Sequence, residues 1–171
     1  QAVGAAWAAK LKGEDTVTVG FMGDGATSQP DFHCALNFAG VFKTPSVLIC
    51  QNNHWSISVP TEKQTASETL AVKAHAYGLP GVRVDGNDVL ALYAVIKAAV
   101  DRARRGEGAT FIESVTYRIG PHSSSDDPTL YRSQNEVNAW KAKDPIARYV
   151  MYLRAEGLLN PLLEQSMDAE I

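Results

Sequence analysis

The sequence contains little cysteine and no long apolar run, and both shortages exclude whole classes of protein. Its two cysteines, Cys34 and Cys50, lie sixteen positions apart and match neither a CxxC pair nor a Cys/His ligand spacing. We therefore expect two buried free thiols in a reducing compartment, rather than a disulfide or a zinc site. Because no stretch reaches about 18 consecutive apolar residues, no membrane-spanning helix is predicted. A secretory signal peptide is not expected either.

The sequence also has no excess of positive charge. Sixteen Lys and Arg residues stand against 19 Asp and Glu residues, which gives a formal net charge of −3 and a pI near 5.8. A nucleic-acid-binding surface normally needs a basic patch, so nucleic acid is not an expected partner. No Walker A sequence occurs, and Gly20, Gly23 and Gly25 stand in the wrong order for the dinucleotide motif G-x-G-x-x-G.

The remaining composition is that of an ordinary globular protein. With 171 residues, 45% of them hydrophobic and 20% charged, the chain is expected to form one domain. Such a domain buries roughly 70% of the surface that its unfolded form exposes. The sequence begins at Gln1 inside a helix-like pattern (QAVGAAWAAKLKG) and without an initiator Met. We therefore expect residues 1–171 to be a single domain taken from a longer polypeptide.

Apolar, β-branched segments alternate with helix-like patterns along the chain. The pattern predicts strands at residues 16–22, 46–50, 82–84 and 109–117, the first of them buried. It predicts helices at residues 1–12, 30–42, 67–77, 89–105, 134–141 and 145–156, after which the ordered chain is expected to end. Strands separated by single helices imply right-handed crossovers, so the predicted fold is α/β, a doubly wound parallel sheet. Residues 118–133 are polar and lack periodicity, and a loop of this length is usually functional or disordered.

Polar residues follow the first two predicted strands. Gly23-Asp24-Gly25 comes after the first strand and Asn52-Asn53 after the second, separated by about the length of one helical crossover. Since ligands bind at the carboxyl ends of parallel strands, Asp24 and Asn53 are expected to lie close together. A carboxylate, an amide oxygen and the carbonyl of Trp55 suit Mg²⁺, which commonly keeps phosphate oxygens in its shell. The two glycines allow a diphosphate to approach the backbone, and the helix that follows can donate amides to it.

Each of these motifs alone has a simpler explanation. Asp24 can merely cap the helix that follows a β-to-α turn, and Asn pairs are common in turns. The occurrence of both motifs at crossover spacing, each at a strand end, favours a cofactor site. A non-catalytic binding or assembly module with the same doubly wound fold is the alternative.

Four longer motifs extend this interpretation: GDGATSQPDFHCALNFA, QNNHWSISVPT, RVDGNDVLALY and YRIGPHSSSDDPTLYRS. Through them the chain resembles, to about residue 155, the alpha subunit of the thiamin diphosphate-dependent decarboxylase (dehydrogenase) component of 2-oxo acid dehydrogenase complexes. The motifs RVDGNDV and PHSSSDDP are most similar to the branched-chain, or 3-methyl-2-oxobutanoate, type. Pyruvate and acetoin dehydrogenases, which share this layout, are alternatives within the same class.

The resemblance assigns roles to individual residues. It implies that Asp24, Asn53 and the Trp55 carbonyl hold Mg²⁺. The residues that it implies for cofactor binding are Gly23, Asp24, Gly25, Ala26, Asn53 and His122. His122 takes the catalytic role, because an imidazole changes protonation near neutral pH and can transfer a proton or stabilise charge. Eukaryotic branched-chain members of the family have Arg where this chain has Gln51, which predicts weaker retention of the cofactor.

The resemblance also makes residues 118–133 an active-site loop that the cofactor orders, and disorder is expected when the cofactor is absent. The residues at its ordering and regulatory positions are Arg118, Ser123, Asp126, Tyr131 and Arg132. Arg and Asp side chains can form ion pairs across such a loop. Ser123 occupies the position that is phosphorylated in eukaryotic members, where phosphate would add negative charge beside the cofactor.

Partners follow from the same resemblance. The glutamate that activates thiamin would come from a beta subunit, so the active site would lie between chains of an α2β2 heterotetramer. The reaction would be oxidative decarboxylation of a small 2-oxo acid, with acyl transfer to a lipoyl group on an acyltransferase component. The expected location is cytoplasmic, or the mitochondrial matrix if the source is eukaryotic.

Overall fold

The structure, a computed structural model, describes residues 1–170, with the backbone alone for Asp168. Its strands are β1 (Thr18–Gly23), β2 (Ser46–Asn52), β3 (Trp55–Ser56), β4 (Val59–Pro60), β5 (Gly81–Asp85) and β6 (Thr110–Val115). Its α-helices are α1 (Ala2–Lys12), α2 (Pro30–Phe42), α3 (Thr61–Gln64), α4 (Val89–Arg104), α5 (Gln134–Lys141), α6 (Pro145–Ala155) and α7 (Pro161–Glu170). Short 3₁₀ helices cover Asp24–Ser28, Ala71–Tyr77 and Pro128–Leu130.

Four strands form a parallel sheet in the order β1-β2-β6-β5. The chain passes from β2 to β5 and then returns to β6, which lies between them. Helices α1 and α2 and the Ala71–Tyr77 helix pack on one face, and α4 packs on the other. The prediction of a doubly wound parallel α/β sheet is therefore confirmed. Since Gly23 is in register with Gln51, the residues after β1 and β2 leave the sheet at the same edge.

Local sequence explains the boundaries of the main helices. Helix α1 ends at Gly13, which has the left-handed conformation (φ 72°) that closes many helices. Pro30 begins α2, where its missing N–H costs no hydrogen bond. The Asp88 carboxylate caps α4 by accepting the backbone amides of Leu90 and Ala91, each at 3.0 Å. These signals lie within a few residues of the ends that they set, so the predicted bounds of α1 and α2 are confirmed.

The hydrophobic core lies on both faces of the inner strands. Leu48 of β2 and Phe111 of β6 point towards Leu36 on the face covered by α1 and α2. Val47 and Ile112 point to the opposite face, where α4 covers them. Burying an aliphatic or aromatic side chain of this size contributes about 1.5–3 kcal/mol. The inner strands are therefore fixed firmly, as is usual in parallel sheets covered on both faces.

The outer strand β1 is less buried than its apolar sequence predicts. Its side chains alternate between half-buried and exposed, with Val19 at 44% and Phe21 at 67% exposure. Helix α4 packs across β2, β5 and β6 rather than across β1. The prediction of a buried first strand is therefore wrong for one of its two faces.

Other predictions also need correction. Within the predicted helix 67–77, only Ala71–Tyr77 is helical, and it is a 3₁₀ helix. A further helix, α7, follows the point where the ordered chain was expected to end. Of the two thiols predicted to be buried, Cys50 is buried and Cys34 is exposed. Among residues 1–170, no helix combines the length and hydropathy that crossing a bilayer requires.

Candidate active site

The Gly-Asp-Gly turn lies where β1 ends and the chain enters the Asp24–Ser28 3₁₀ helix, which also contains Ala26. Asp24 is 2% exposed, and its backbone carbonyl accepts a hydrogen bond from Thr27 Oγ1 at 2.8 Å. A Cβ atom at Gly25 would collide with the side chain of Ser56, so this position needs glycine. The turn therefore packs directly against the β3–β4 hairpin that follows the Asn pair.

The Asp24 carboxylate does not cap α2. The N-cap position of that helix is Gln29, five residues after Asp24. Asp24 Oδ2 instead accepts a hydrogen bond from Gln64 Nε2 at 2.7 Å, and Gln64 also donates to the Val59 carbonyl at 3.2 Å. The second oxygen, Oδ1, accepts no hydrogen bond from the residues that the structure describes. A buried carboxylate with one oxygen left for a ligand is typical of a cation site rather than of a helix cap.

The chain after β2 folds into a short, strained loop that ends in the β3–β4 hairpin. Asn52 Oδ1 accepts hydrogen bonds from the His54 amide at 3.1 Å and from Thr61 Oγ1 at 3.2 Å. Asn53 Oδ1 accepts one from the Trp55 amide, also at 3.1 Å. His54 has a φ of +70°, a backbone conformation that residues other than glycine rarely adopt. The surrounding hydrogen bonds must therefore hold it in place. Burial lowers the pKa of His54, which favours its neutral form.

The residues at this edge carry oxygen atoms of the kind that a magnesium ion binds. Asp24 offers a carboxylate, Asn53 an amide oxygen and Trp55 a carbonyl, and Mg²⁺ prefers such hard ligands with only one or two carboxylates. Within residues 1–170, no group of three or more His, Cys, Asp or Glu side chains could hold a metal by itself. A cation bound here would therefore need further oxygen ligands, and a diphosphate supplies them.

Residues 118–133 lie over the hairpin and are tied to it by Arg118. The guanidinium donates to the carbonyls of Trp55 at 3.0 Å and Ile57 at 2.6 Å, and to the hydroxyl of Tyr131 at 2.8 Å. Tyr131 in turn donates to Asp126 Oδ2 at 2.6 Å, and Arg118 lies 3.9 Å from the same oxygen. The structure thus connects three of the predicted loop residues with the Trp55 carbonyl of the predicted metal site.

Arg132 closes the base of the same loop. Its guanidinium donates to the backbone carbonyls of Arg118, Ile119 and Gly120. It also lies over the ring of Tyr117, 5.5 Å from the centroid. One Arg side chain at the end of the loop therefore binds the three carbonyls at its beginning.

His122 lies on the exposed tip of this loop, beside the exposed Ser123. Its backbone amide donates to Asp126 Oδ2 at 2.7 Å. This amide first, then the Tyr131 hydroxyl and then the Arg118 charge lower the pKa of the Asp126 carboxyl. The structure thus anchors the backbone of His122, but it does not bond the imidazole to the turn or to the hairpin. The structure therefore brings the turn and the hairpin together, whereas His122 is exposed and makes no hydrogen bond to either of them.

The sequence patterns did not predict a place in this site for two polar residues, Gln64 and Glu113. Gln64, which binds Asp24, follows the hairpin in α3 and stands in a polar stretch that gives no local signal. Glu113 is 1% exposed in the middle of β6 and accepts a hydrogen bond from Asn52 Nδ2 at 2.8 Å. A signal for Glu113 did exist, because an acidic residue inside a buried apolar strand requires a partner.

The parallel four-stranded sheet with flanking helices is consistent with the fold of dehydrogenase E1 components. A family model described as "Dehydrogenase E1 component" matches residues 1–171, and the chain belongs to this family. The chain is 59% identical over 168 residues to the 3-methyl-2-oxobutanoate dehydrogenase subunit alpha of Mycobacterium tuberculosis (strain ATCC 25618 / H37Rv). It is 50% identical over 161 residues to the pyruvate dehydrogenase E1 component subunit alpha of Staphylococcus aureus (strain Mu50 / ATCC 700699).

These alignments cover nearly all of this chain but less than half of each relative. The first covers 98% of the chain and 46% of the mycobacterial protein, and the second covers 94% of the chain and 44% of the staphylococcal protein. The predicted resemblance to 2-oxo acid dehydrogenase alpha subunits is confirmed. The dehydrogenases of this family depend on thiamin diphosphate.

Proposed function

We propose that this chain is the cofactor-binding part of the alpha subunit of a branched-chain 2-oxo acid dehydrogenase. The observation that carries the proposal is the buried Asp24 carboxylate, which keeps one oxygen unbonded at the sheet edge where β1 and β2 end in register. The higher identity to the 3-methyl-2-oxobutanoate enzyme, 59% against 50%, supports the branched-chain type. A pyruvate dehydrogenase alpha subunit is the second candidate, because its relative also matches nearly the whole chain.

In this proposal, Asp24, Asn53 and the Trp55 carbonyl hold Mg²⁺, and residues 23–26 line the diphosphate. The negative diphosphate would be bound by backbone amides after Gly25 and by the metal charge. Thiamin diphosphate, when bound, supplies the nucleophile and the electron sink that decarboxylation of a 2-oxo acid needs. In this proposal, the chain's own contribution is to bind and orient the anionic end of the cofactor.

His122 is the residue that we propose for proton handling at the reacting end. It would hold or donate a proton near the substrate, and Arg118, Asp126, Tyr131 and Arg132 would position its loop. Ser123 is the proposed regulatory position, since a phosphate there would repel the anionic cofactor. Arg118, at the base of this loop, donates to the Trp55 carbonyl of the proposed metal site.

The complete site would need a second chain. We propose a beta subunit that supplies the activating glutamate in an α2β2 assembly, and a lipoyl-bearing acyltransferase that receives the acyl group. The proposed setting is the cytoplasm, since the relatives named above are bacterial and Cys34 and Cys50 are unpaired. Rates with 2-oxo acids of differing branching would separate the branched-chain enzyme from a pyruvate or acetoin enzyme.

Calorimetry with thiamin diphosphate tests the core of the proposal. The full-length chain, assembled with its beta subunit, should bind the cofactor in Mg²⁺ and lose most of that binding when the metal is chelated. Asp24→Ala should weaken Mg²⁺-dependent binding by more than about 100-fold, since even supporting residues of metal sites contribute about 10–100-fold. Asp15→Ala, which removes an exposed carboxylate far from the edge, is the matched control and should bind normally. If binding of thiamin diphosphate changes neither on chelation of Mg²⁺ nor in Asp24→Ala, a non-catalytic module is favoured.

A further inference from the structure

Glu113 is a buried carboxylate for which the proposed chemistry has no direct use. It lies in the middle of β6 at 1% exposure, in register with Cys50 of β2 and Arg83 of β5. A charged group in such a place destabilises the fold strongly unless partners satisfy both of its oxygens. The identity of those partners therefore shows what the residue does.

The two carboxylate oxygens of Glu113 bind two different segments. Oε1 accepts the Asn52 side-chain amide at 2.8 Å, and Oε2 accepts the backbone amide of Ala71 at 2.9 Å. Arg83 approaches Oε1 to 3.7 Å from the neighbouring strand and is half exposed. Of these partners, Asn52 is the one that leads to the candidate metal site, because it precedes Asn53 directly.

The bond from Asn52 to Glu113 fixes which way the Asn52 carboxamide faces. With Nδ2 held by the carboxylate, Oδ1 faces the loop and accepts from His54 N at 3.1 Å and Thr61 Oγ1 at 3.2 Å. A reversed carboxamide would set its oxygen against the Glu113 oxygen and its NH₂ group against the N–H of His54. Glu113 therefore determines the polarity of the whole chain of bonds.

These bonds hold the strained part of the loop. The amide that Asn52 Oδ1 accepts belongs to His54, whose φ of +70° persists only where surrounding contacts determine it. Asn53 and Trp55 stand immediately before and after His54, so its backbone sets where their oxygens lie. Asn52 is 3% exposed, so water competes little for the hydrogen bonds of its carboxamide.

We propose that Glu113 is a positioning residue of the metal site: through Asn52 it fixes the backbone that presents Asn53 Oδ1 and the Trp55 carbonyl to Mg²⁺. This inference rests on the proposed function, because it concerns the same metal. A purely structural role, in which Glu113 only joins Ala71 and Arg83 to β6, is the competing explanation. The two explanations differ in whether loss of Glu113 changes the metal requirement or only the stability.

The sharpest test exchanges donor and acceptor between positions 52 and 113. Glu113→Gln places an NH₂ group against either Asn52 Nδ2 or the Ala71 amide, and Asn52→Asp places a second carboxylate against Glu113. In the double variant, the new amide at position 113 can donate to the new carboxylate at position 52. The remaining oxygens can still accept from His54, Thr61 and Ala71, so all the bonds are restored and only the bond between positions 52 and 113 is reversed.

The measured quantity is the Mg²⁺ concentration that gives half-maximal binding of thiamin diphosphate to the full-length chain with its beta subunit. We expect each single variant to raise it by about 10–100-fold, as loss of supporting bonds does at other metal sites. The double variant should return it to within about threefold of the wild type, the usual scatter of such comparisons. Thr61→Val is a milder change in a half-buried residue and should raise this Mg²⁺ concentration severalfold. This variant keeps the test possible if Glu113→Gln does not fold.

A matched control separates orientation from stability. Ile112→Val removes a methyl group from the adjacent residue of β6, on the face covered by α4, and should lower Tm without changing the Mg²⁺ requirement. A Glu113→Gln variant that loses Tm but keeps the wild-type Mg²⁺ requirement would overturn the inference and leave the proposed function intact. A double variant as weak as the single ones would also overturn it. If the wild type binds no cofactor at any Mg²⁺ concentration, the proposed function fails and this inference fails with it.

Discussion

Two segments meet at the carboxyl edge of the sheet, and they are held there in different ways. The metal half, Asp24 with residues 52–61, is anchored by buried polar groups: Asp24 is 2% and Asn52 3% exposed. In loop 118–133, residues 122–125 are exposed. That loop is attached mainly through the hydrogen bonds of Arg118 and Arg132 to carbonyl groups.

This difference in burial predicts which segment has a fixed geometry before the cofactor binds and which segment depends on the cofactor. The Asn52–Glu113 hydrogen bond is buried, so water competes little with it, and we expect the backbone at Asn52 to keep its geometry as long as the sheet is folded. Hydrogen bonds of an exposed loop compete with water, and such segments open at low cost in free energy. We therefore expect a preformed site for the diphosphate and a loop around His122 that becomes fully ordered when the cofactor is bound.

The largest expected effect concerns the two thiols. Cys50 lies beneath the metal half, where burial first, then the charges of Asp24 and Glu113, raise the pKa of its thiol. Cys34 is exposed on α2. Because only the thiolate reacts, iodoacetamide should label Cys34 more than about 100-fold faster than Cys50, as followed by mass spectrometry. In the Cys34→Ser variant, Cys50 is the remaining thiol and should be labelled only after denaturant is added. Equal rates for both thiols would mean that the metal half opens readily and would remove the contrast between the two regions.

The next effect should appear in the loop. Arg118→Ala removes the charged hydrogen bonds to Trp55, Ile57 and Tyr131, each contributing about 1.5–3 kcal/mol. Thermolysin should therefore cut between residues 118 and 133 at least about tenfold faster, while the circular dichroism spectrum is unchanged. Arg104→Ala, an exposed change at the end of α4, is the control and should be cut at the wild-type rate. Cleavage unaffected by loss of Arg118 would show that another contact holds the loop.

A smaller effect is expected from Gln51, the exposed residue before the Asn pair. A charged hydrogen bond to a diphosphate exceeds a neutral one by roughly 0.5–2 kcal/mol, so Gln51→Arg should tighten thiamin diphosphate binding by about 3–30-fold. Calorimetry on the assembled protein measures this, with Gln134→Arg on α5 as a control for the added charge. An unchanged affinity for Gln51→Arg would mean that Gln51 does not face the cofactor.

The smallest effect should be the response of the loop to acid. The pKa of Asp126 is lowered in the folded loop. The stabilisation of the loop by its carboxylate is therefore complete above the ordinary Asp pKa of about 3.9, and it is lost as the pH falls through the lower pKa of the folded state. Hydrogen exchange around the His122 amide, corrected for intrinsic rates, should therefore be constant from pH 7 to about 4 and rise only below it. A rise between pH 7 and 5 would instead point to titration of an imidazole.

Sequence patterns predicted those parts whose signals are local. The inner strands and α2 follow from apolar runs and from Pro30, and the approach of Asp24 to the Asn pair follows from parallel crossovers alone. The β3–β4 hairpin was missed because each of its strands has only two residues. Its shape depends on bonds from Arg118, more than 55 positions away in sequence. No pattern within a window of the usual length contains that information.

The remaining differences also arise from contacts between distant segments. The helix predicted at 67–77 begins only at Ala71, where the backbone amide is bound by Glu113. Phe21 is exposed because β1 is the outer strand in the described sheet, which apolarity alone cannot reveal. Gln64 reaches Asp24 across 40 positions, so its part in the site could be found only from the folded structure.

A structure of the full-length chain with its beta subunit, thiamin diphosphate and Mg²⁺ would show whether this sheet edge holds the metal and the diphosphate. We predict a metal ion about 2.1 Å from Asp24 Oδ1, Asn53 Oδ1 and the Trp55 carbonyl, with the diphosphate against residues 23–26. The loop at residues 118–133 should be ordered, with the His122 imidazole turned towards the cofactor. A diphosphate bound away from the Gly-Asp-Gly turn, or a metal that leaves Asp24 paired with Gln64 alone, would contradict the account.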